Sequence, residues 1–136
     1  MGQQQLLLII LGVIIVGVAI AVGITLFRDS AASTNRDAMA NDLMHLAAKA
    51  RHYYKRPATM GGGGHSFSNL GASGGLYLLV SSRFATNDNA EYSIKSGTTK
   101  TLITFVGTGK APLDDGSFPI LECIVTPSSQ TISTIN

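Results

Sequence analysis

Three imidazoles, one thiol, an Asp-Asp-Gly turn and a run of four glycines are the residues of this chain whose types could do chemistry. His45 and His52 stand seven apart, not at the i, i+4 spacing that places two ligands of one metal on a helix face. They are expected to be solvated or interface residues. The run Gly61-Gly62-Gly63-Gly64 would cradle phosphate only if a Lys-Ser/Thr pair and a helix followed. His65-Ser66-Phe67 follows instead, so a turn leaving the end of a helix is expected. Asp114-Asp115-Gly116 offers oxygen ligands of the kind calcium takes, without the remaining positions of a calcium loop, and reads as a turn. Cys123 has no His beside it in sequence, and neither Ser66 nor Ser117 sits in a nucleophile elbow. As the only cysteine it cannot close an intrachain disulfide; it is either buried as a small hydrophobe, the favoured reading, or open to intermolecular pairing. Tyr53 and Tyr54 read as packing residues. No catalytic, cofactor-binding or metal-ligating constellation is expected, and the chain is read as not an enzyme.

The elements that carry these residues are set by an uneven composition. The 136 residues are 45% hydrophobic and 13% charged, against about 25% charged in a typical soluble domain. The apolar content excludes a fully disordered chain. The formal charge of +2 is far from the clustered basic footprint of a nucleic-acid binder, and no nucleic-acid partner is expected.

Leu6 to Phe27 is an unbroken run of 22 apolar or small residues. As a helix it is about 33 Å long, matching a hydrocarbon core of about 30 Å. The front, Met1-Gly2-Gln3-Gln4-Gln5, has no Lys or Arg, and the run is longer than the apolar part of a signal peptide. A membrane-spanning or equivalent all-apolar helix is expected over 1–27. Gly17 and Ala21, and Ala19 and Gly23, are four apart, a spacing that lets helix backbones approach closely. Small residues are also simply commoner in spanning helices.

No Gly or Pro breaks the chain between this run and Arg56. Met39, Leu43, Leu46, Ala50 and Tyr53 recur at intervals of 4, 3, 4 and 3, an amphipathic stripe that predicts one helix continuing over 28–56. Pro57 ends it. One rod therefore needs two environments: lipid or identical rods in front, a domain against one face behind.

Residues 57–75 read as a glycine-rich loop. Over 76–136 the pattern turns to short apolar or alternating runs: Leu76–Val80, Tyr92–Ile94, Thr101–Val106, Ile120–Val125 and Thr131–Ile135 read as strands. Gly97-Thr98-Thr99 reads as a hairpin loop, and Pro112 to Gly116 as a longer turn. The expected class is α+β: a long N-terminal helix packed on a small C-terminal antiparallel sheet.

This layout resembles type IV pilins and pseudopilins, across the whole chain as an architecture and in sequence character over Gly2 to about Arg56. The resemblance implies Gly2 as the processing site of a prepilin peptidase. Gln3-Gln4-Gln5 is similar to polar residues found there in some archaeal-type pilins. In this sequence only Met1 stands before Gly2, Leu7 occupies the place where bacterial pilins usually carry Glu, and the carboxy-terminal disulfide of many pilins has no pair of cysteines. Assembly with Met1 retained is therefore the alternative to processing.

The resemblance implies the major subunit of an extracellular type IV pilus-like filament for adhesion, motility or surface interaction. The subunit would wait in the inner membrane and be extracted by an assembly machinery of ATPase and platform protein. Leu6, Leu8, Ile10, Gly12, Ile15, Gly17, Ala21, Gly23 and Leu26 would pack against copies of the same helix in the filament core. Met39, Leu43, Leu46, Ala50 and Tyr53 would pack against the sheet of their own subunit. The alternatives are a pseudopilin of a secretion or DNA-uptake system and a single-span anchored binding module.

Overall fold

A computed structural model describes residues 2–136. One α-helix, α1, runs without a break over Gly2–Lys55; its 54 residues make a rod about 81 Å long at 1.5 Å per residue. It begins ahead of the apolar run because Gln3, Gln4 and Gln5 are good helix formers. It stops at Lys55 because Arg56 precedes a proline.

The end of α1 explains the glycine run. The last carbonyls of a helix have no partner inside it, and here the chain folds back to supply donors. Gly63 N donates to Tyr53 O (2.8 Å), His65 N to Tyr54 O (2.8 Å) and Gly64 N to Arg56 O (3.0 Å). Gly63 lies so close to the ring of Tyr53 that a Cβ there would stand 2.8 Å from Cε1. Gly61 and Gly64 take positive φ, a conformation that glycine adopts without steric cost.

Between α1 and the sheet lie three short 3₁₀ turns, at Ala58–Met60, Ser68–Gly71 and Gly75–Leu78, and a one-turn helix α2 at Ser82–Ala85. Four strands complete the chain: β1 (Ala90–Ile94), β2 (Ile103–Gly109), β3 (Ile120–Val125) and β4 (Gln130–Thr134). They form an antiparallel meander in the order β1-β2-β3-β4. The fold is α+β, a long N-terminal helix against a small antiparallel sheet.

Register places the apolar residues on one face. Ile94 pairs with Phe105, Phe105 with Cys123, and Cys123 with Ile132, so one inward row crosses all four strands. Ile103 opposite Val125, and Tyr92 and Leu121 on either side of Gly107, complete the face. The second half of α1 lies across it, burying Ala32, Met39, Leu43, Leu46, Ala47, Ala50 and Tyr53. The two layers touch most closely at Gly107 and Gly109. A Cβ at Gly107 would stand 2.8 Å from Tyr92 Cε1 and 3.3 Å from Met39 Cε. At Gly109 it would meet Asn35 Oδ1 and Pro119. Missing side chains on β2 are what let the rod settle onto the sheet.

Leu76–Val80 is not a strand. Gly74 takes φ +82 and turns the chain, and a Cβ on Gly75 would run into the carbonyl of Leu70. The segment coils as a 3₁₀ turn that buries Leu76 and leaves Tyr77 and Leu78 exposed. A continuous apolar run does not distinguish strand from turn, and here the flanking glycines decide it. The other strands differ from their expected limits only at the ends: β1 starts at Ala90 and β2 continues to Gly109.

Candidate functional site

The sheet covers only the back half of α1, so the front half projects alone. Sixteen large apolar side chains from Leu6 to Phe27 are each more than half exposed. Gly12, Gly17 and Gly23 have open space where a Cβ would be. Leu6, Leu8, Ile10, Ile15 and Leu26 are each more than half exposed, and Ala21 is exposed with them. Its length and composition suffice to cross a membrane. Such a surface is not stable in water: burying one such side chain is worth about 1.5–3 kcal/mol.

At the foot of the domain a partial collar, the β2–β3 loop, lies against one side of the rod just past Phe27. The β2–β3 loop reaches down α1 and leaves a groove of about 480 Å³ between itself and the helix. Ile20, Gly23, Ile24 and Phe27 form the helix side, and Ala111 and Pro112 the loop side. A polar recess of about 430 Å³ adjoins it, shared through Arg28 and lined further by Asp29, Arg36, Asp114 and Asp115. The carboxyl of Asp29 is held above its ordinary range, first by the charge of Asp114 and then by a hydrogen bond between the two carboxyl groups. Asp115 is held low instead, because Ser117 donates to it from side chain and backbone. The charged patch thus begins one residue after the apolar run ends.

Polar clasps hold the helix to the sheet beside the apolar stripe. Tyr92 Oη donates to Asp42 Oδ2 (2.7 Å), and Asn87 Nδ2 donates to the same oxygen (2.9 Å). Asn35 Nδ2 donates to the carbonyl of Asn89 (2.8 Å), and Arg51 Nη2 to Gln130 Oε1 (2.8 Å). Burial first, then the bond to Asp42 and its charge, push the Tyr92 phenol far above its ordinary value. These partners are 50, 45, 54 and 79 residues apart, and nothing in their local sequence signals them.

The imidazoles and the thiol singled out for chemistry do not meet. His45 and His52 are exposed on the rod, and His65 sets its ring edge-on to Tyr54 at 5.3 Å. Tyr53 is buried and Tyr54 packs on Phe67 at 4.9 Å. Among the described residues no three His, Cys, Asp or Glu side chains are grouped as metal ligands. Cys123 is fully buried, and burial pushes its thiol up to about 11, so at neutral pH it is protonated and poorly nucleophilic. Gly2 is exposed at the far tip of the rod. Neither a family model, nor a curated protein, nor a solved structure matches the chain.

Proposed function

We propose that this chain is the structural subunit of an extracellular, type IV pilus-like filament, held in the membrane by α1 before assembly and polymerised through the same helix afterwards. The observation that carries the reading is the division of α1: a back half that its own domain buries and a front half that nothing in the subunit buries. The sixteen exposed apolar side chains represent roughly 25–50 kcal/mol of gross burial for each subunit transferred out of water. Lipid satisfies that demand before assembly. A bundle of identical rods satisfies it afterwards, with Gly12, Gly17, Ala21 and Gly23 allowing close backbone approach. A head-to-tail contact that does not close on itself propagates as a helical fibre.

Partners in this reading are further copies of the chain, the inner membrane, and an ATP-driven assembly apparatus with its platform protein. A peptidase acting at Gly2 would precede assembly. The exposed tip of the rod makes Gly2 accessible to such an enzyme.

The test is electron microscopy of sheared surface material from cells expressing the full chain, with N-terminal mass spectrometry of the same fraction. Ordered fibres of this chain are expected, and Ile15→Glu should abolish them while the sheet domain stays folded. A chain that extracts in detergent as a monomer and never yields an ordered polymer refutes the proposal. So do fibres formed equally well by Ile15→Glu.

A further inference from the structure

We propose that the collar at the foot of the domain is a binding site for one phospholipid with a primary-amine, zwitterionic headgroup, its acyl chain in the groove beside Ile20–Phe27 and its headgroup among Arg28, Asp29, Arg36 and Asp114. This rests on the membrane-anchored stage of the function proposed above and not on the filament.

The level of the site is set by length. With Leu6–Phe27 filling about 30 Å of hydrocarbon, Arg28 and Asp29 lie in the headgroup layer. From Ile20 to Arg28 the groove runs along α1 for about 12 Å, at 1.5 Å per residue, through the outer hydrocarbon. Its walls change character at the same height: aliphatic and aromatic below, charged above. An occupant must therefore be apolar at one end and charged at the other, in the order in which a lipid is built.

The charges identify the headgroup. Two guanidinium groups and the facing carboxylates of Asp29 and Asp114 line the recess together. Yet the single ion pair among the described residues is Lys95–Glu122, on the sheet. Arg28 and Arg36 thus have no carboxylate within ion-pair distance among the described residues. A headgroup with one charge of each sign fits this lining: phosphate against arginine, and ammonium between Asp29 and Asp114, where it relieves the repulsion that holds Asp29 above its ordinary range. A primary ammonium has three N–H donors for those oxygens, whereas a quaternary one has none. Calcium takes six to eight oxygens, and the recess offers only the carboxyl groups of Asp29 and Asp114 besides Asp115, which is bound to Ser117.

The experiment places the full chain in nanodiscs of equimolar phosphatidylethanolamine, phosphatidylcholine and phosphatidylglycerol, then identifies the lipid retained after mild detergent extraction by native mass spectrometry. Retention of phosphatidylethanolamine about tenfold over phosphatidylcholine is expected, the scale of one charge-assisted hydrogen-bond pair. The double variant Asp29→Asn with Asp114→Asn should bring that ratio to about one. Both side chains are exposed, so the fold should survive, and near-UV circular dichroism verifies it; Arg28→Gln gives an independent loss of retained lipid. Equal retention of all three lipids overturns the site, as does a preference unchanged in the double variant. Preference for phosphatidylglycerol reduces it to cationic attraction and overturns it too. Soluble phosphoethanolamine should not compete at millimolar concentration; if it displaces the lipid, the groove has no part and the proposal fails. No polymer is needed for any arm, so a chain that never forms filaments leaves this result unaffected.

Discussion

Replacing Tyr92 with Phe removes one oxygen from the junction between α1 and the sheet and keeps the ring. Tyr92 is 3% exposed, stacks near Phe84 at 6.1 Å, and donates to Asp42 at 2.7 Å. A hydrogen bond to a charged acceptor contributes about 1.5–3 kcal/mol. Asp42 keeps Asn87 as a donor at 2.9 Å in the variant, so the acceptor is not orphaned and the loss should be about 1.5–2 kcal/mol. For a folded region of about 100 residues that lowers Tm by roughly 6–16 °C.

The same substitution has a second, pH-dependent signature. An unfolded tyrosine ionises near 10, while the buried Tyr92 holds its proton well beyond that. Above pH ~10 the unfolded chain binds fewer protons than the folded one, so stability is full below that pH and falls as pH rises. Tyr92→Phe should be less stable at neutral pH yet lose less on going alkaline. Urea unfolding of the full chain in detergent micelles, followed by near-UV circular dichroism at pH 7 and pH 10.5, measures both. A variant as stable as the parent at pH 7, with the same alkaline slope, would refute the clasp.

Leu46 is fully buried between α1 and the sheet, so Leu46→Ala should cost about 3–5 kcal/mol in the same unfolding assay; Met44→Ala, two residues away on the exposed face, should change stability by less than about 0.5 kcal/mol. Cys123 should resist maleimide at pH 8 until the domain unfolds, and labelling at the rate of a free thiol would contradict its burial. Because its thiol is raised from 9.0 to about 11, stability should drop by about 2–3 kcal/mol as pH rises through that window. Cys123→Ala should remove that part of the loss.

Much of the architecture is legible because its signals are local and repeat. The apolar run, the stripe from Met39 to Tyr53 and the stop at Pro57 each arise from spacing along one helix, where every third or fourth residue faces the same way. The strand pattern near Tyr92, Phe105 and Cys123 arises from alternation. The failure at Leu76–Val80 has a physical reason as well. An apolar pentad has no period of its own, and the close approach of Gly75 to Leu70 imposes a turn that pattern cannot reveal.

The collar and the clasps belong to a different order of information. Asp29 meets Asp114, Asp42 meets Tyr92, and Arg51 meets Gln130 only after the meander has folded back on the rod. Their partners are fixed by sheet register and by how far the helix sinks onto Gly107 and Gly109. Composition and period alone decide that a long helix with two unlike halves forms and that its front half must leave water, because those depend on the free energy of each residue's own surface. Tertiary folding decides which charges stand at the boundary and which polar atoms pin the domain, because those depend on distances between segments that share no local rule.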